Sequence, residues 1–156
     1  ADININNKRV RIYNVHLKSI SFKKEDYEYI EKVKEISPDK QSSKRIFRML
    51  RSAFIKRAEN VDLLKAELSK LEIPFIVAGD FNDTPASFAV NEITGNLENA
   101  FKKQGQGLGI TYNGKFPNFQ IDYIATSKHF RIVNYQVTRE KLSDHYPVRS
   151  DLELSN

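Results

Sequence analysis

Two periods of apolar residues alternate along this chain, and the switches between them outline its elements. KRVRIYNVHL (8–17) is β-branched and aromatic and nearly continuous in apolar character. Such a run predicts a strand covered on both faces, not an edge strand. Residues 21–37 are charged and aromatic, which predicts a short helix that ends before Pro38, because the residue preceding proline is pushed out of the helical region. DKQSSK (39–44) reads as an exposed loop whose Ser43 caps the next helix. From about Lys44 to Leu71 the period becomes helical: Ile46, Leu50, Phe54, Val61, Leu64, Leu68 and Leu71 recur at three, four or seven and form one apolar stripe.

A short buried strand is expected at Ile73–Gly79. Thr84 and Pro85 then open another helix as its cap and first residue, with an end near Ile93 to Gly95. Three further strands are expected at Phe119–Thr126, Arg131–Thr138 and Pro147–Leu154. Strands and helices alternate early, while the late strands follow one another closely. That order predicts an α/β layered architecture, a mixed β-sheet covered by helices. No internal repeat, low-complexity tract or second domain is visible.

Composition narrows the functional classes. The 156 residues suit one domain, or part of one, and 40% apolar with 29% charged residues fits a folded globular chain. No 18-residue apolar run offers a membrane span. The opening ADININNKRV lacks a charged-then-apolar leader, so an export signal is expected to be already removed or never present. Zero cysteines exclude disulfides, thiolate metal sites and a cysteine nucleophile, and leave the compartment open. The net charge of +5 is concentrated: Lys40, Lys44, Arg45, Arg48, Arg51, Lys56 and Arg57 lie in one stretch with no acid among them. Such a stretch suits phosphate-bearing or anionic-membrane partners, or simply a solvated helix face.

Candidate chemistry gathers at the ends of apolar runs. IVAGDFNDTP (76–85) leaves a buried strand through Asp80 and Asn82, two residues apart and so on one face if extended. A carboxylate there can orient water or hold a metal, and an amide can donate to a phosphate oxygen. The alternative is an Asx-type turn, with Asp83 serving the following helix. Asn14 and His16 repeat the same spacing on the first strand. Asp122, in QIDYIA, sits within an apolar run and needs a partner, since burying a lone carboxylate is costly. His145, in SDHYP, is the candidate, because a carboxylate would fix its tautomer and raise its pKa. Asp144 and His145 can face one site only if this segment is a turn. His129 looks like an exposed loop residue. The GQGLG loop (105–109) lacks the lysine and spacing of a phosphate-binding loop.

Together, NVHL (14–17), GDFN (79–82), QIDYI (120–124) and SDHYP (143–147) resemble, in order and spacing, the motifs of the endonuclease/exonuclease/phosphatase superfamily, which has the DNase I-like fold. The resemblance implies a divalent-metal-dependent phosphoesterase using Mg²⁺ or Mn²⁺. It implies that His145 acts on the phosphate or attacking water with Asp122 orienting it. Asp80 would position or activate the water, with Asn82 supporting it and contacting a phosphate oxygen. His16 would stabilise the phosphate, Asp144 would contribute to the metal site, and Arg57 would be a further phosphate contact. The family's early strands carry an Asn and a metal-binding Glu to which no position here corresponds. The chain therefore resembles the C-terminal half of the two-sheet sandwich. The expected partners are a phosphodiester (nucleic acid, phospholipid or inositol phosphate), the missing N-terminal half, and a second copy across an exposed sheet face. The competing reading is a non-catalytic basic module that binds nucleic acid or anionic lipid.

Overall fold

Asn6 and Asn7, both at positive φ (51° and 63°), turn strand β1 (Asp2–Ile5) back onto β2 (Lys8–His16). Consecutive left-handed residues match the right-handed twist of a hairpin, and asparagine tolerates them better than most side chains. This hairpin begins a computed structural model that describes residues 1–20, 22–33, 40–114 and 118–155. Helices α1 (Lys24–Val33) and α2 (Lys40–Leu68) lead to β3 (Phe75–Asp80), which runs parallel to β2. Then come α3 (Phe88–Thr94), β4 (Glu98–Asn99), α4 (Ala100–Gln104) and β5 (Asp122–Thr126). The five strands form one mixed sheet in the order β1-β2-β3-β5-β4, and β6 (Phe130–Val137) with β7 (Val148–Leu154) makes a separate antiparallel pair.

Strand alternation decides what each sheet face does. Phe75, Val77 and Tyr123 join Val61 and Leu68 of α2 and Ala89, Val90 and Ile93 of α3 in the main core. The opposite face is set by register: Ile12 lies beside Ile76, Asn14 beside Ala78 and Ala78 beside Ile124. Ile124 packs under the β6–β7 pair, together with Ile132, Tyr135, Val148 and Leu152. Ile12, Ile76 and Ala78 stay half-buried.

Gly79 makes this sheet possible at the point that matters. Its φ is +142°, and a Cβ there would lie 2.0 Å from the carbonyl oxygen of Val15 on β2. Gly79→Ala is therefore expected to cost about 3 kcal/mol, through a backbone conformation closed to side chains and a clash with backbone that cannot rotate away. Urea denaturation measures this, and an unchanged midpoint would refute it.

The structure differs from the sequence expectations in several places. β2 is interior, as expected, but not covered on both faces, since Asn14 and His16 are exposed. The residues described from DKQSSK are helical, because α2 starts at Lys40; Ser43 bonds Tyr29 Oη (2.6 Å) instead of capping. Asp39 and the expected helix end before Pro38 lie outside the described residues. Thr84 does not cap α3: Ser87 does, its Oγ accepting from Val90 N, while the carbonyl of Thr84 closes a turn onto Ser87 N. Phe54, expected in the apolar stripe, is 49% exposed and lies over Arg57, its ring centroid 4.9 Å from the guanidinium carbon.

Candidate active site

Three strand ends meet in one row. Register places His16 of β2 beside Asp80 of β3, and Asp80 beside Asp122 of β5. Residues directly opposite across strands point to the same face, so all three polar groups emerge together where the apolar rows stop. This is the carboxyl end of the parallel pair, the place where open α/β sheets present ligands.

Asp80 and Asn82 do come together, but not by strand alternation. β3 ends at Asp80, and Asn82 turns left-handed at φ 51°. The Asn82 backbone N donates to Asp80 Oδ1 (2.7 Å) and its Nδ2 to Asp80 Oδ2 (2.7 Å), so the Asx turn and the functional pairing are one structure. Asn82 Nδ2 also donates to the Leu17 carbonyl (3.1 Å), which spends both its hydrogens. Among the described residues Asn82 Oδ1 accepts nothing, so the amide has an acceptor to offer and no donor to spare. Burial is the main influence that lifts the Asp80 carboxyl above its ordinary value, with the Asp122 charge adding to it; the Asn82 backbone bond and the nearby histidines oppose. His16 Nε2 lies 3.6 Å from Asp80 Oδ2, on a ring that is otherwise open to solvent.

Asp122 and His145 form the second half. His145 Nδ1 is 2.9 Å from Asp122 Oδ2, which leaves Nε2 as the nitrogen free for other chemistry. Desolvation pushes the imidazole pKa down, but the hydrogen bond and charge of Asp122, then Asp80 and Asp144, outweigh it, and the net shift is upward. A raised histidine pKa adds stability that is full below the unfolded value, about 6.5, and is lost as pH rises through the folded value. Asp122→Asn is therefore expected to lower the His145 titration midpoint, as read by NMR of the ring protons in metal-free protein. An unmoved midpoint would show that Asp122 does not hold the charge.

The SDHYP segment is a turn, as the convergence of Asp144 and His145 required. Ser143 Oγ accepts from His145 N (3.0 Å), Tyr146 N donates to the Thr111 carbonyl (2.7 Å), and Asn113 N donates to the Asp144 carbonyl (2.7 Å). Fully buried Thr111 also accepts from the backbone N–H groups of Ile121 and Asp122 through its Oγ1 (2.9 and 3.0 Å), so it ties both halves together. The Tyr112 ring meets the His145 ring edge-on at 5.4 Å. Thr111 and Tyr112 open the TYNGKFPNFQIDYI stretch that shares the family resemblance, but no site role is assigned to them from the sequence, because ITYNG carries no periodic signal.

Asp80, Asn82, His16, Asp144 and His145 line one cleft of about 390 Å³, with Tyr112 beside them and Phe22 and Tyr27 across it. Asn14 lies instead in an adjoining hollow on the other side of His145. Arg57 is not among the residues lining the cleft. It is 1% exposed, its Nε 2.9 Å from Asp83 Oδ2, and its Nη1 donates to the Lys18 carbonyl (3.0 Å). His129 is exposed, near Ser127 Oγ (3.1 Å).

The fold and the polar cleft at its strand ends invite comparison with known proteins, and that comparison gives the family. The model of the endonuclease/exonuclease/phosphatase family matches residues 22–145. The chain belongs to that family, whose members are phosphoesterase- and nuclease-type hydrolases. An endonuclease/exonuclease/phosphatase from Bacteroides vulgatus is similar at 28% identity, with a TM-score of 0.56, over 64% of this chain and 44% of that one. A mannosyl-6-phosphatase of Bacteroides thetaiotaomicron is similar at 25% identity, with a TM-score of 0.53, over 66% and 46%. The human Nocturnin catalytic domain shares the fold at 20% identity, with a TM-score of 0.60, over 96% and 49%. The chain thus spans about half the length of these solved structures. No curated protein matches it.

Proposed function

We propose that this chain carries the His/Asp wall of a divalent-metal-dependent phosphodiesterase site. The observation that carries the reading is the convergence of Asp80, Asn82, Asp144 and His145 on one cleft, with Asp122 bonded behind the histidine. A water held at Asp80 loses its proton to that carboxylate, whose raised pKa makes it the better base. The water oxygen then bonds to phosphorus as the bond to the leaving oxygen breaks. His145 Nε2 donates its proton to that leaving oxygen, while Asp122 keeps the ring oriented through Nδ1 and balances its charge. His16, exposed at the rim, neutralises charge on the phosphoryl oxygens when protonated. Asn82 fixes Asp80 through two hydrogen bonds, which makes it first a positioning residue; its role at a phosphate oxygen would need one of those bonds to open.

Mg²⁺ or Mn²⁺ fits the donors present. Asp144 offers an oxygen ligand in the cleft, directly or through water, and a Mg²⁺ ion that keeps most of its waters needs only one or two carboxylates. No group of three or more His, Asp and Glu side chains among the described residues stands ready to hold a metal alone. When bound, the ion would supply charge stabilisation to the phosphoryl oxygens. The test is hydrolysis of DNA, RNA and phospholipid by the complete protein with Mg²⁺, then with EDTA. The expected result is turnover of at least one class, lost in EDTA and restored by excess Mg²⁺. No turnover of any class, or turnover indifferent to EDTA, would overturn the proposal.

A further inference from the structure

The N-terminal half of helix α2 carries a surface that the fold does not use. The helix's inward side, with Ala53, Arg57, Val61 and Leu68, is consumed by the core. Nearer the N-terminus Phe47 and Phe54 continue the column of Val61 and Leu68 but emerge into solvent, with Lys44 and Arg51 beside them and Arg48 and Ile55 in the next column. Phe47 is 67% exposed, Phe54 49% and Ile55 43%, so three large apolar side chains stand in solvent on this half of the helix. Phe88, 59% exposed, lines a hollow of about 340 Å³ with Phe54 and carries the apolar patch off the helix.

The charges on this face are unspent. Arg45 is taken by Glu25 (3.6 Å) and Asp26 (3.3 Å), and Arg57 by Asp83. Lys44, Arg48, Arg51 and Lys56 make no ion pair among the described residues, and no acid occurs from residue 40 to 58. We infer that this stripe docks the protein on an anionic lipid surface, with Phe47, Phe54 and Ile55 entering the interface while Lys44, Arg48 and Arg51 meet the headgroup phosphates. Large apolar residues enter such a surface, and the long stems of the cations beside them let the charges reach up to the headgroups. Nucleic acid fits less well: it rewards cations but has no place for Ile55, and single strands favour aromatic platforms set in grooves, whereas this surface is a convex helix. The same helix also braces one wall of the cleft. Arg45 of α2 holds Asp26 of α1, and the next residue, Tyr27, lines the cleft.

The test is co-sedimentation of the complete protein with vesicles of phosphatidylcholine, with and without phosphatidylglycerol. Binding is expected only to the anionic vesicles and is weakened by salt. The triple variant Lys44→Gln, Arg48→Gln, Arg51→Gln should bind roughly fivefold more weakly per cation, about a hundredfold in all. The variant Phe47→Ser, Ile55→Ser should lose at least about tenfold, with an unchanged circular dichroism melt, because both positions are exposed. Absence of binding to anionic vesicles, equal binding by either variant, or retention on single-stranded or duplex DNA with none on vesicles would each overturn the inference. The readout is independent of the cleft: vesicle binding without hydrolysis sinks only the proposed function, and hydrolysis without vesicle binding sinks only this inference.

Discussion

His145→Gln in the complete protein is expected to lower kcat for phosphodiester hydrolysis by about 10²–10⁴-fold, the usual worth of a positioned proton donor. Glutamine preserves much of the bulk and can still bond Asp122, but it cannot deliver a proton to a leaving oxygen. The ring is only partly buried, its segment is held mainly by backbone bonds from Tyr146 and Asn113, and no core cluster depends on it. Thermal unfolding should therefore be little changed, and the loss should fall on kcat more than on KM. Full activity in the variant would remove His145 from the chemistry; a collapsed melt would assign it a structural role instead.

Arg57→Ala is expected to destabilise the fold by about 3–5 kcal/mol, the cost of leaving one member of a buried ion pair alone. Arg57 is 1% exposed, and Asp83 is buried beside it with its pKa raised by desolvation, a cost that the guanidinium and the Thr84 N–H (3.0 Å) offset. Losing Arg57 also frees the Lys18 carbonyl, two residues beyond His16. Urea denaturation gives the magnitude. The pair Arg57→Met with Asp83→Asn should cost clearly less than Arg57→Met alone, since no uncompensated charge is left. Near-wild-type stability of Arg57→Ala would contradict this reading of the residue.

These two residues mark what the sequence discloses and what it hides. Asp122 could be paired with His145 on paper because a carboxylate inside an apolar run demands a partner and few were on offer. Register did the rest, since a strand ending in Asp80 beside one ending in His16 needs only the period of two. Arg57 was harder: a cation inside a basic helical stretch gives no sign that it faces inward to Asp83, because the apolar stripe alone does not show which polar residue it shelters. Asn82 was expected to join Asp80 by extended alternation and joins it through a left-handed turn, a conformation that asparagine allows but does not announce. The β1–β2 hairpin escaped notice because DINI is short and its only signal is Asn6-Asn7. Thr84-Pro85 had good helix-opening chemistry, yet Ser87 sits where the chain actually turns inward with Ala89 and Val90. Packing against the core decided between two plausible caps.

The central claim is that the cleft at the ends of β2, β3 and β5 holds a phosphate against the Asp122–His145 pair. An NMR titration of the complete, isotope-labelled protein with Mg²⁺ and then inorganic phosphate tests it most directly. Saturable shifts are expected, concentrated at His16, Asn82, Tyr112, Asp144 and His145, and lost or strongly weakened in His145→Gln. Shifts confined to the basic face of α2, or none at saturating phosphate, would contradict it.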